Sequence, residues 1–149
     1  MPYTQILYHI VFRPKDSQPV INETYERDLF AYLVATCRNM NCHVHRINAM
    51  PDHIHLLVSL HPMVALADFV RTIKIASGRF MKSQAHHFPL FTEWARGYCA
   101  ITHSIKQRDV VIEYIKNQKE HHRKISFAEE LKKLLEEYHI EYEEKYLPK

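Results

Sequence analysis

Pro51-Asp52-His53-Ile54-His55-Leu56-Leu57-Val58 is the stretch from which the remainder of the chain takes its order. Pro51 and Asp52 have turn chemistry: proline presets one backbone dihedral and aspartate bonds its own backbone. After them the side chains alternate as on a strand. His53, His55, Leu57 and Ser59 share one face, and Ile54, Leu56, Val58 and Leu60 the other. Residues two apart on a strand stand roughly 7 Å apart on the same face, so the two imidazoles can meet on one divalent ion. The same pattern also fits a half-buried strand whose histidines bond to neighbouring groups, and spacing alone leaves both open.

The chain has 149 residues, room for one domain spanning 1–149. A hydrophobic content of 46% with only two glycines favours a packed core over disorder. No apolar run approaches the roughly 18 residues of a membrane span, and the N-terminus lacks a basic-then-apolar signal pattern, so a cytoplasmic location is expected. Cys37, Cys42 and Cys99 form no C-x-x-C, which suits free thiols in a reducing compartment. Charge is uneven. Residues 125–149 hold seven glutamates against four lysines, −3, so residues 1–124 carry +6 of a net +3. That balance suits a polyanionic partner for the body of the domain and marks 125–149 as an acidic helical tail.

Outward from the central stretch, Tyr3 to Phe12 is rich in β-formers and reads as a first strand, buried on both faces at its middle. Asn22 can cap a helix running to about Met40. Cys42 to Met50 is the second strand, and the Pro51-Asp52 turn makes it a hairpin with the third. A helix spans about Leu66 to Ser83, with Leu66, Phe69, Val70, Ile73, Phe80 and Met81 as its core stripe. Phe88 to Trp94 is a loop whose aromatics suit packing better than a lid or a base-stacking platform. Gly97 to His103 is a fourth strand, Asp109 to about Arg123 one long helix, and Phe127 to Tyr138 another. The order predicts an α+β fold: a ferredoxin-like βαββαβ antiparallel sheet with helices on one face, plus C-terminal helices.

The long helix carries Tyr114-Ile115-Lys116-Asn117-Gln118, with Tyr114 and Gln118 one turn apart on one face and His121 and His122 roughly continuing the stripe. Residues 106–124 hold six lysines and arginines against three acids, +3. Tyr114 can be a packed aromatic beside Val111 and Ile115, or a nucleophile. A phenol with a pKa near 10 needs a metal ion and nearby cations to attack phosphorus at neutral pH. The Gln118 amide oxygen can then join the two imidazoles as a third ligand, leaving open positions for phosphate oxygens. Mg²⁺ or Mn²⁺ suits that mixed set, with adventitious Zn²⁺ or Ni²⁺ as the alternatives. His43 and His45 form a rival H-x-H on the second strand.

Three segments resemble the single-tyrosine HUH transposases of the smallest bacterial insertion sequences: Met50-Pro51-Asp52-His53-Ile54-His55, Trp94-Ala95-Arg96-Gly97-Tyr98, and Tyr114 through His122. The likeness runs over almost the whole chain. It implies that His53 and His55 are the metal pair, Gln118 the third ligand and Tyr114 the nucleophile. The implied reaction cleaves single-stranded DNA at hairpin-bearing ends, leaving a 5′-phosphotyrosine and a free 3′-OH that can later reverse the step. The family also implies a homodimer, often with the tyrosine helix of one subunit set against the HUH strand of the other; the sequence of this chain leaves cis and trans placement of Tyr114 both open. Candidate phosphate contacts are Arg46, Arg71, Lys74, Arg79 and Lys82, of which Arg71, Lys74 and Lys82 share one helical arc. The alternatives are a domesticated nicking enzyme of the same chemistry and a non-catalytic single-strand-binding module. The same strand order serves RNA-recognition domains, but these stack bases on sheet aromatics, and the third strand here offers histidines and aliphatics.

Overall fold

A computed structural model describes residues 2–149. Four strands, β1 (Leu7–Phe12), β2 (His43–Met50), β3 (His53–Ser59) and β4 (Cys99–His103), form one antiparallel sheet in the order β2-β3-β1-β4. Helices α1 (Glu26–Asn39) and α2 (Leu66–Ser83) are the two crossovers. They bury Leu29, Leu33, Phe69, Val70 and Ile73 against the Ile10, Phe12, Ile54, Leu56 and Val58 face. Three C-terminal helices cover the opposite face: α3 (Arg108–Lys116), α4 (Gln118–His121) and α5 (Phe127–Glu137). Val111 and Ile115 of α3 pack on Leu7 and Leu57, while Phe127, Leu134 and Leu135 of α5 pack on Val11, Cys99 and Ile101. The sheet is therefore sandwiched, and its second face is where His53 and His55 lie. No helix among the described residues is long and apolar enough to cross a membrane.

The βαββαβ expectation holds, with four local differences. β1 begins at Leu7 rather than Tyr3, because pairing with both neighbours, at Ser59 and His103, starts there. α1 begins at Glu26: Asn22 Oδ1 accepts from the Thr24 amide, a local turn that competes with helix. β4 begins at Cys99, after Gly97 at φ +81° takes a turn that side-chain-bearing residues avoid. The predicted single helix over 109–123 is broken at Asn117 (φ −92°, ψ 16°). The cause is Asn48 on β2, whose Nδ2 donates to the carbonyls of Ile115 (2.9 Å) and Lys116 (3.3 Å). A continuous helix would give those acceptors to the amides of residues 119 and 120.

The 88–94 loop packs as expected. Phe88 and Phe91 are buried, and Trp94 sits edge-on to Phe12 while its Nε1 donates to Ser77 Oγ at 3.1 Å.

Candidate active site

The alternation of β3 places His53 and His55 on the face under the C-terminal helices, both at 0% exposure. Each imidazole is held from behind. His53 Nδ1 lies 2.8 Å from Asp52 Oδ1, so the turn residue orients the ring and leaves Nε2 facing inward. Phe127 stacks on the other side, its ring centroid 3.9 Å away at an interplanar angle of 10°. His55 Nδ1 lies 2.8 Å from Nε2 of the buried His9 on β1.

The inward nitrogens converge on one carboxylate, Glu130 of α5, which is 1% exposed. Its Oε1 lies 3.0 Å from His55 Nε2, 2.9 Å from His122 Nε2 and 3.3 Å from His53 Nε2. Its Oε2 accepts from the Tyr114 hydroxyl and from Gln118 Nε2 at 2.9 Å. All four residues singled out in sequence, His53, His55, Tyr114 and Gln118, thus meet within one chain around a group that sequence reasoning missed.

Burial works against charge on every member, and the balance differs by position. For Glu130, burial favours the neutral acid, but hydrogen bonds from His122 and His55 and the close approach of the His53 imidazole outweigh it and hold the carboxyl far below its usual range. His53 also resists charge through burial, yet Asp52 and Glu130 raise it above an ordinary imidazole. His55 is fully buried and stays below that value despite Glu130. A neutral His55 then donates from Nε2 to the carboxylate and accepts at Nδ1 from His9, itself kept low by burial and by His55 and His103. Burial, reinforced by the adjacent Glu130 charge, pushes the Tyr114 phenol well above its normal value. The phenol therefore keeps its proton and donates it in a hydrogen bond to Glu130.

The residues fit a divalent cation. His53 Nε2 and Gln118 Oε1 are buried without a hydrogen-bond partner, an arrangement that costs free energy unless something else binds them. His53, His55, His122 and Glu130 each offer a ligand atom, all within 4.8 Å of one another, and this is the only such group among the described residues. The set is mixed: imidazole nitrogens suit Zn²⁺, Ni²⁺ and Fe²⁺, whereas carboxylate and amide oxygens suit Mg²⁺ and Mn²⁺. The rival pair forms no comparable group. His45 Nε2 bonds Ser59 Oγ at 2.8 Å and His43 is exposed beside it.

The five suggested phosphate contacts divide between the two layers. Arg46 lies on β2 opposite Leu57, half-buried under the C-terminal helices. Arg79 and Lys82 are exposed on α2 and line a cleft with Phe91, Trp94 and Arg96. Arg71 is exposed and pairs with Asp68 at 3.3 Å. Lys74 is committed elsewhere: its Nζ donates to the carbonyls of Ala95 (2.9 Å) and Gly97 (2.7 Å), pinning the loop before β4.

Glu130 carried one legible signal. Positions 127, 130, 131, 134 and 135 form a single helical stripe, apolar except for Glu130. In sequence His122 only continues the Tyr114 stripe; in the structure its Nδ1 donates to the Ile125 carbonyl at 3.0 Å. His9 and Asn48 gave no local sign.

Residues 2–118 match the family model described as "Transposase IS200 like". The chain is 31% identical over 121 residues to the ISDra2 transposase TnpA of Deinococcus radiodurans, covering 76% of this chain and 84% of that protein. It is 27% identical over 117 residues to the transposase for insertion sequence element IS200 of Salmonella typhimurium, covering 76% of each. A crystal structure of a Deinococcus radiodurans transposase superposes with a TM-score of 0.62 at 28% identity, over 79% of this chain and 95% of that one. A REP-associated tyrosine transposase bound to a REP hairpin shares the fold, with a TM-score of 0.59 at 14% identity over 82% and 74% of the two chains.

Proposed function

From the premise that this chain belongs to the IS200-like transposase family, and is thus a DNA transposase, we propose that it cleaves and rejoins single-stranded DNA at hairpin-bearing element ends through a 5′-phosphotyrosine on Tyr114. One observation carries the reading: the Tyr114 hydroxyl, Gln118 and the His53/His55 pair all point at a single buried focus. A binding module has no use for a buried phenol beside converging imidazoles.

His53, His55 and Gln118 would hold a divalent ion, Mg²⁺ or Mn²⁺, with Glu130 and His122 beside them. When bound, it would polarise a phosphate oxygen and favour the phenolate. The protein's own part is orientation and proton control. Asp52 and His9 fix the imidazole rings. Glu130 Oε2 holds the Tyr114 hydroxyl, the atom that must lose its proton as it bonds to phosphorus. The bond from phosphorus to the 3′ oxygen breaks as the tyrosyl bond forms, and the departing oxygen takes up a proton. One phosphodiester bond replaces another, so the reverse attack by a 3′-OH needs no external energy source.

The hairpin-bearing substrate draws support from the fold shared with a hairpin-bound tyrosine transposase, and from the +6 charge of residues 1–124. A homodimer acting in the cytoplasm completes the reading. The test is incubation with a hairpin-bearing single strand and Mn²⁺, followed by denaturing electrophoresis and mass-spectrometric mapping of the adduct. An adduct at Tyr114 is expected. No adduct, or one on another tyrosine, would reject the assignment.

A further inference from the structure

Resting on the proposed tyrosine chemistry, we infer that Asn48 and Lys119 are positioning residues that staple the Tyr114–Gln118 segment onto the strand beside His55 and thereby present the nucleophile in cis.

Asn48 pairs directly with His55 in the β2–β3 ladder. Its side chain is buried and makes every bond an amide can make, three of them to residues on the two sides of the break between α3 and α4. Nδ2 spends its two hydrogens on the Ile115 and Lys116 carbonyls. Oδ1 accepts from the Ala49 amide at 2.9 Å and from Lys119 Nζ at 3.0 Å. Lys119 follows Gln118 in sequence and is equally occupied. Its ammonium has three hydrogens, and three acceptors surround it: Asn48 Oδ1, the Ala49 carbonyl at 3.2 Å and Glu26 Oε1 of α1 at 2.8 Å. In a chain with a basic surface this lysine invites assignment as a phosphate contact, but it has no donor left for phosphate.

The staple grips the chain between the two residues that matter and again just beyond the second. The Asn48 bonds fall one and two positions after Tyr114, and the Lys119 bonds fall one position after Gln118. They also explain why the helix breaks at Asn117, where a continuous helix would carry Gln118 along a different line. Side chains one turn apart on an unbroken helix share a face; here the break and its clamps set the angle at which both reach the Glu130 focus. Neither Asn48 nor Lys119 touches that focus.

The test compares the unaltered protein with Asn48→Ala, Lys119→Met and Lys119→Arg, read three ways. Hydrogen exchange should show faster exchange over residues 108–121 in Asn48→Ala and Lys119→Met, with the strands unchanged. Single-turnover adduct formation should slow at least tenfold in both, while the DNA concentration for half-maximal rate stays within about twofold, and Lys119→Arg should recover most of the rate. Mixing Tyr114→Phe chains with His55→Ala chains should yield no adduct while the staple is intact. Unchanged exchange over 108–121, an unchanged adduct rate, or adduct from that mixture would overturn the inference. Should the unaltered protein form no adduct, the nucleophile assignment fails, and the exchange measurement still judges the staple.

Discussion

Glu130 and His55 are 75 positions apart in the chain and 3.0 Å apart in space, Oε1 to Nε2. That contact closes α5 over the second face of the sheet. Replacing Glu130 with Gln keeps the volume and removes the charge that answers His53. Breaking one partner out of a buried ionic network costs on the order of 3–5 kcal/mol. Glu130→Gln should therefore lower the denaturant midpoint clearly in metal-free buffer. A midpoint equal to that of the unaltered protein would mean that the imidazoles find other partners.

Acid should unfold the protein in a defined order. Glu130 is held low in the fold by its histidines, against its own burial, whereas an unfolded glutamate takes a proton near about pH 4.3. Below that pH the unfolded state binds more protons, so the stability Glu130 contributes is present above it and lost as pH falls. Burial also depresses His55 and His9; their contribution is present above about pH 6.5 and starts to be lost as pH falls through it. His53 is shifted upward and opposes the trend. Melting temperature followed from pH 8 to pH 3 should decline from near 6.5 and more steeply below 5. In Glu130→Gln the lower limb should flatten.

Metal affinity should depend on groups behind the ligands. Loss of a partner that orients a ligating imidazole typically costs about 10- to 100-fold in affinity. Asp52→Asn and His9→Phe should each weaken Mn²⁺ binding by that order in calorimetric titration, and His53→Ala or His55→Ala should abolish it. His43→Ala should leave it intact. Equal loss from His43→Ala would move the metal to β2.

Binding of a single strand should weaken steeply with salt, by roughly 0.7 log units per phosphate contact per decade. Arg79→Ala and Lys82→Ala should each reduce that slope by about one contact if the α2 cleft carries DNA. Lys74→Ala should behave differently, because its ammonium holds the Ala95 and Gly97 carbonyls. Its signature should be a lower melting temperature rather than a shallower slope. Slopes unchanged in both exposed variants would remove α2 from the interface.

What could be read in the sequence was local. Alternation after Pro51-Asp52 gave β3 and its two histidines, the apolar stripe gave α2 at its observed bounds, and the one-turn spacing paired Tyr114 with Gln118. What could not be read depends on partners far along the chain. The helix break needs Asn48, 67 residues before Ile115. The orientation of His55 needs His9, 46 residues earlier. Glu130 stands beside Glu129 in an acidic segment, and only the fold separates them: one is buried at the focus, while the other meets the Ser126 cap at the start of α5. No periodicity reports on such meetings, because each is fixed by the sheet order and not by the neighbours in sequence.

The connection between β2 and β3 has two residues, with Met50 opposite His53. It leaves no slack. Adding or deleting one residue there would slide the ladder by a step, and a one-step slide exchanges the faces of a strand. Both imidazoles would then point into the aliphatic layer, and Ile54 and Leu56 would take their places. Length variation among natural relatives should accordingly collect in the 84–98 connection and be absent at Pro51-Asp52, whatever else in the chain drifts.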